Sequence, residues 1–429
     1  MMITTKRGLV FGATAAMLTT VAVTGAGLHF SQSQAFFQES PKELVDEVWQ
    51  IVNQQYVDAT FNQVDWRAVR EEYLDRSYDN KQEAYDAINE MLEELDDPYT
   101  RFMNPEEFKN LQIDTSGELT GVGIQIALDE ETDYIRVISP IEDSPAFEAG
   151  IISQDLIIGI NGQSTKGMDL NEAVNLIRGE PDTQVTLTIQ REEKELDYEI
   201  TRAEIEVHPV KTRLQETSVG KVGYIRLNQF NSNAAGEMRT AIQNFQEQEV
   251  SGYVLDLRSN PGGLLQSSVQ IGRMWLDEGK KIVSTVNRQG KVDEQTTRGE
   301  ALTDKPLVVL VDGGSASASE ILAGALQDHN RGMIVGTQTF GKGLVQSVRG
   351  LGDGSGLAVT IAKYLTPDGR DINDKGIAPD VVSELDEEKQ EALRRDRASL
   401  GTTKDPQFSE ALSILKTEIA QQGQQAEAN

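Results

Sequence analysis

The sequence predicts a multidomain chain of α/β plus β class, with a helical N-terminal region, a segment of short strands and a layered α/β core. Three observations carry this. Apolar residues recur three and four apart from Pro41 to about Gln112. From about Thr115 short apolar strands alternate with turn residues, and after Val207 strands and helices alternate. The length agrees, because 429 residues at about 150 per domain gives about three domains.

Residues 1–37 stand apart from the rest. Lys6 and Arg7 precede a mostly apolar run, and no acidic residue occurs before Glu39, which is the composition of an export signal. Ser33-Gln34-Ala35 offers a cleavage point before Phe36, the favoured reading. The apolar run of about 20 residues is also long enough to stay as a membrane anchor. Either way the working part faces outside the cytoplasm. In the helical region, 38–114, Leu44, Val45, Val48, Ile51 and Val52 share one face. Asp96-Asp97-Pro98 reads as a solvated turn in preference to a paired-carboxylate site.

Residues 115–205 supply the strands GVGIQIAL, YIRVIS, DLIIGING and QVTLTIQR, with the helical LNEAVNLIRG before the last. The order of the loop and strand Thr120 to Ile126, the SPAFEAGI turn-helix, DLIIGINGQ and the helix near Leu170 resembles a PDZ domain. The resemblance implies that Gly121, Val122, Gly123 and Ile124 bind the carboxylate end of a peptide. Gly121 and Gly123 would free the backbone so that successive N–H groups converge on that carboxylate, and the strand after them could pair with an extended tail.

In the core, residues 206–385, PLVVLVD and GYVLDL are apolar nearly throughout, the mark of strands covered on both faces. Ligands in such sheets gather where strands end and helices begin. Residues 386–429 read as a surface helix and a frayed tail.

Composition narrows the chemistry. Lys plus Arg number 40 and Asp plus Glu 69, a formal charge of −29, which excludes a basic face for nucleic acid. With no cysteine, thiolate metal sites and a cysteine nucleophile are excluded as well. The three histidines are His29, His208 and His329, and they form no metal-binding spacing. His29 falls in the export segment. His329 lies at the far end of the helix that Ser317 begins, roughly 18 Å away at about 1.5 Å per residue. His208, before Pro209, reads as the start of a strand or linker.

Two junctions carry candidate chemistry. In VDGGSASASEILAGAL a buried strand runs through Gly313-Gly314 into a helix, with Ser315, Ser317 and Ser319 at the turn. A serine there sits beside helix N–H groups that favour an oxyanion. Ser317-Ala318-Ser319-Glu320 also fits a capping box, and from this segment alone capping is the stronger reading. In MIVGTQTFGKGLVQSV, Gly336 with Gly341-Lys342 approaches a phosphate loop, but Gly343 stands where the magnesium-binding hydroxyl belongs. Lys342 among apolar neighbours could instead lose its charge and act as a base, although a solvated loop lysine is the stronger local reading.

The motifs taken together resemble the carboxyl-terminal-processing, or tail-specific, serine peptidases over about residues 40–385. The matching segments are Ser315-Ala316-Ser317-Ala318-Ser319-Glu320 and Thr339-Phe340-Gly341-Lys342-Gly343 with Val345-Gln346, supported by DDPYTRFM, DLRSNPGG and YLTPDGRDINDKGIAPDVV. This resemblance overrides both local readings. It implies a core of the ClpP/crotonase-like type, Ser317 as nucleophile, Lys342 as general base, and Gln346 holding Lys342 by a hydrogen bond that four-residue spacing on a helical turn would suit. An oxyanion hole from Ala318 and Gly263, with Gly262 the near alternative, is implied too. So are an absence of metal and cofactor, polypeptide partners with accessible apolar C-terminal tails, and residence in a periplasm, envelope or thylakoid lumen. A non-catalytic peptide-binding scaffold or holdase is the alternative.

Overall fold

The computed structural model describes residues 40–428 apart from positions 130, 142, 193 and 219; the export segment and His29 lie outside the described residues. Ser40 opens α1 (Pro41–Gln55) with a full capping box, accepting from the Glu43 N–H while the Glu43 carboxylate accepts from its own N–H. The apolar face read from the sequence is buried: Leu44, Val45, Val48, Ile51 and Val52 pack with α2 (Trp66–Asp75) and α3 (Lys81–Glu93). Trp49 and Trp66 stack with centroids 6.3 Å apart, and the Trp49 indole donates to the Trp66 carbonyl at 2.6 Å.

After β1 (Arg101–Met103), α4 (Pro105–Ser116) ends at Gly117 in the left-handed conformation, φ 74°. The module of short strands comprises β2 (Glu118–Gly121), β3 (Ile124–Leu128), β4 (Ile135–Pro140), α5 (Pro145–Glu148), β5 (Leu156–Ile160), β6 (Gln163–Ser164), α6 (Leu170–Ile177), β7 (Gln184–Arg191), β8 (Lys194–Thr201) and β9 (Ala203–Glu206). One sheet runs β3-β4-β5-β7-β8 around its own core, which includes Val137, Ile157 and Leu187. β3 is therefore an edge strand. β2 pairs antiparallel with β9, so the chain enters and leaves the module through one two-stranded ribbon.

The remainder contributes β10 (Val210–Thr217), β11 (Gly220–Leu227), α7 (Ala234–Glu247), β12 (Gly252–Asp256), α8 (Leu265–Trp275), β13 (Lys281–Asn287), β14 (Val292–Thr296), β15 (Leu307–Val311), α9 (Ala318–Asp328), β16 (Met333–Gly336), β17 (Leu344–Gly350), β18 (Gly356–Leu365), β19 (Val381–Val382), α10 (Glu387–Arg395) and α11 (Pro406–Ala428). The main sheet, β10-β11-β12-β15-β16-β19, is parallel except at β10–β11. Along β15, Val309 and Val311 face the cluster with α7, α8 and α9, whereas Val308 and Leu310 face the opposite one. Full burial of such a side chain is worth about 1.5–3 kcal/mol, which explains why this strand is apolar at every position. A second sheet, β1-β18-β13-β14 with β17 on β18, is antiparallel and carries the N-terminal helices on Leu357 and Val359.

Two elements depart from the expectation. The C-terminal segment is more than a surface helix: α10 is largely exposed, as expected, but α11 lays the fully buried Phe408, Ala411 and Leu415 on Val254 and Val308, closing the second face of the main sheet. The stretch after Lys342 is a strand, β17, with a bulge between Val345 and Gln346. The helical turn supposed to join Lys342 to Gln346 does not exist.

Candidate active site

The site forms where β12 and β15 release their loops. After β15, Ser315 is buried and its hydroxyl donates to the Leu257 carbonyl at 2.8 Å; Ser319, equally buried, donates to the Asn260 carbonyl at 2.9 Å. These two serines fasten the turn to the β12 loop. Ser317, between them, lines a cleft of about 360 Å³. Its backbone stands at φ 53° and ψ −111°, whereas an N-cap residue is ordinarily extended. Such a conformation in a non-glycine residue costs on the order of 1–3 kcal/mol and clusters at active sites.

The β12 loop approaches this turn closely. A Cβ on Gly262, whose φ is 100°, would lie 2.7 Å from the Ala316 carbonyl oxygen and 3.0 Å from the Ala318 nitrogen, so only glycine fits. The Gly262 N–H is already donated to Asn260 Oδ1 at 2.9 Å. Gly263 and Ala318 both line the cleft.

Lys342 reaches the same cleft from the other junction. Its glycine neighbours serve packing: a Cβ on Gly343 would lie 2.6 Å from the Asn373 nitrogen, and one on Gly341 3.0 Å from the Lys375 nitrogen. The downstream segment DINDKG thus clamps the lysine loop. Burial, then the Arg101 guanidinium, hold the Lys342 ammonium below the ordinary lysine range against the opposing pull of Asp97 and Glu320. Gln346 lines the cleft too, but its Nε2 has no partner and no hydrogen bond joins it to Lys342 among the described residues.

Three residues with no catalytic setting in the motifs read above complete the arrangement. Glu320, fully buried in the first turn of α9, accepts from Ser317 N–H at 2.8 Å, Thr339 Oγ1 at 2.6 Å, Gly341 N–H at 2.7 Å and Lys342 N–H at 2.9 Å. One carboxylate therefore ties the serine turn to the lysine loop. The buried Tyr364 hydroxyl donates to the Lys342 carbonyl. Tyr99 places its ring 4.6 Å from Lys342 Nζ. Tyr99 is presented by the Asp96-Asp97-Pro98 turn, in which the Asp97 carboxylate accepts from the Tyr99 N–H at 3.0 Å and the Thr100 hydroxyl at 2.7 Å. Glu320 had a signal, as the acid of the capping box; Tyr99 and Tyr364 come from segments remote in sequence.

The phosphate-loop reading meets a physical obstacle here. The Gly341 and Lys342 N–H groups that would cradle a phosphate are occupied by Glu320, and a strand follows where that motif needs a helix. Histidine stays apart. His208 Nδ1 lies 2.6 Å from Glu237 Oε1, with Glu206 near, and His329 Nε2 lies 2.7 Å from the Lys281 carbonyl; none of these residues lines the cleft.

In the strand module, Gly123 packs so closely on Ser144 that a Cβ would overlap it, and its carbonyl accepts from the Ile141 N–H at 2.8 Å. Val122 is buried, while Ile124 is half-buried on the edge strand β3 and Leu170 and Leu176 are half-buried on α6. Gly121 ends β2 beside Arg178. Arg178 donates to Asn110 of α4, and Leu111, Asp114 and Thr115 of α4 line the cleft that holds Ser317 and Lys342.

Comparison with known proteins agrees with this construction. Peptidase family S41 matches residues 221–383, a PDZ domain residues 136–191, and the tricorn protease C1 domain residues 37–94. A carboxyl-terminal-processing protease of Synechocystis sp. is 49% identical over 82% of this chain and 82% of its own. One from Picosynechococcus sp. is 45% identical over 97% and 98%. A solved photosystem II D1 C-terminal processing protease matches with a TM-score of 0.57 at 38% identity, covering 86% of this chain and 100% of that one. The chain thus belongs to the carboxyl-terminal-processing proteases of peptidase family S41, serine hydrolases acting on polypeptides, and it carries a PDZ domain.

Proposed function

We propose that the protein is an endopeptidase that cuts exported proteins near their C-termini, with Ser317 as nucleophile and Lys342 as general base. The observation that carries this is the shared cleft: of the three motif serines, Ser317 faces it, and Lys342 enters it with its charged form disfavoured by burial. Ser317 Oγ attacks the scissile carbonyl as neutral Lys342 takes its proton. Lys342 then returns the proton to the leaving amine, and water hydrolyses the acyl-enzyme. The Ala318 and Gly263 N–H groups hold the oxyanion, Gly262 being engaged with Asn260. Gln346, with a free amide, receives Lys342 when the lysine turns toward the serine.

The PDZ domain captures the substrate's tail. Gly121, Val122, Gly123 and Ile124 face the terminal carboxylate, and the free edge of β3 pairs with the residues before it. The export composition of residues 1–37 supports action outside the cytoplasm, in a periplasm, envelope or thylakoid lumen, as a released or anchored protein. Among the described residues no helix is long and apolar enough to cross a membrane.

The test uses a folded reporter bearing a flexible apolar C-terminal tail, with free or amidated carboxylate and the Ser317→Ala protein as blank. Cleavage of the free tail, at least about tenfold slower for the amidated one, is expected from loss of a charge-assisted contact. Equal rates would remove the carboxylate loop from the account. An intact tail under all conditions would leave a peptide-binding scaffold or holdase.

A further inference from the structure

Tyr99 brings an aromatic ring from the N-terminal region to the Lys342 head group, beside the charges of Asp97 and Arg101. Its ring face stands 4.6 Å from Nζ, and no ion pair among the described residues includes Lys342. The turn is built to hold that ring. Asp97 accepts from both Tyr99 and Thr100, and Thr100 Oγ1 accepts from the Thr360 N–H of β18 at 3.0 Å, which locks the turn onto the second sheet. An aromatic face attracts an ammonium and not a neutral amine, so the ring favours the protonated lysine, the opposite of what a general base requires.

We infer that Tyr99 is a positioning residue that parks Lys342 as its ammonium ion and so sets the pH above which the base is available. The inference rests on the assignment of Lys342 as base, and it adds a control that the S41 core, residues 221–383, does not itself contain. Other charges and titratable groups facing Lys342 are Arg101 on β1, Asp97 in the turn, Glu320 on α9 and Tyr364 on β18. Of these, Arg101 opposes the ammonium, and Asp97 and Glu320 favour it. The lysine therefore exchanges between two places: on the Tyr99 ring when charged, and toward Ser317 and the free amide of Gln346 when neutral. Substrate that fills the cleft against Tyr99 would displace it from the first.

The experiment follows Lys342 in two ways on the full chain. In the Ser317→Ala background, the pH dependence of Lys342 modification by an amine-reactive reagent is read by peptide mass spectrometry. In the active background, kcat/KM for the tailed reporter is read against pH. Tyr99→Leu removes the π face but keeps apolar cover, and is expected to move both midpoints down by roughly half a unit to one unit. Tyr99→Phe keeps the face and should move neither, whereas Tyr99→Trp, with the stronger face, should move both up. Tyr99 is half-buried, and Tyr99→Met serves where the leucine variant is unstable. A modification midpoint that stays put or rises in both Leu and Met variants overturns the inference. If the modification midpoint falls while the kcat/KM limb does not, the contact stands and the assignment of Lys342 as base fails.

Discussion

Glu320→Ala is expected to lower kcat by about a hundredfold or more and to cost several kcal/mol of stability. The side chain is fully buried and takes four hydrogen bonds, from Ser317, Thr339, Gly341 and Lys342. Removing it strands four donors, at roughly 1–3 kcal/mol each before water or relaxation offsets part. It also frees the serine turn from the lysine loop, and a shift of about 1 Å between reacting groups costs on the order of a hundredfold. Glu320→Gln keeps the volume but turns an NH2 toward donors, so its stability should fall less and its kcat nearly as far. Thermal melts and steady-state kinetics on both variants check this; a wild-type kcat in Glu320→Ala would show that the carboxylate serves the fold alone.

The second large effect lies in the loop that follows β12. Arg258, at the end of β12, bonds Asp256 at 2.9 and 2.6 Å, Asp405 at 3.1 and 2.6 Å and Gln407 at 2.8 Å. Both carboxylates are fully buried. Burial drives the Asp256 carboxyl upward, and the Arg258 and Arg226 guanidiniums outweigh it and hold it below the usual range. Arg258→Met would leave two buried carboxylates facing each other, a loss of about 3–5 kcal/mol against a total stability of about 5–15. Adding Asp405→Asn should recover part of it, because the repulsion goes with the second charge while the amide oxygen still accepts from the Gln407 and Phe408 N–H groups. Urea unfolding of the single and double variants reads this directly; a single variant within about 1 kcal/mol of wild type would mean that water already solvates the cluster.

These effects bear on what the sequence could reveal. The strand-helix alternation and the two-faced burial of β15 were legible because each is a local rule. That Ser317 and Lys342 line one cleft was legible only through their motifs, since capping and solvation compete for each residue in isolation. Tyr99, Tyr364 and the union of Glu320 with the lysine loop were not, because their partners lie on other elements and no periodicity encodes them. The Lys342–Gln346 spacing misled for a physical reason: four residues suit a helical turn, but Leu344 to Gly350 pairs with β18 and forms a strand. The C-terminal segment was read as helical, but the burial of α11 was missed because the segment's acidic and glutamine-rich stretches hide the short apolar face of Phe408, Ala411 and Leu415.

The proposed chemistry makes Ser317 a nucleophile activated by Lys342. A fluorophosphonate reacts covalently with an activated serine, and peptide mapping by mass spectrometry locates the adduct. An adduct is expected on Ser317 and none on Ser315 or Ser319, with labelling at least about a hundredfold slower in Lys342→Ala and its circular dichroism unchanged. Labelling of Lys342→Ala at the wild-type rate, or an adduct on another serine of the turn, would contradict it.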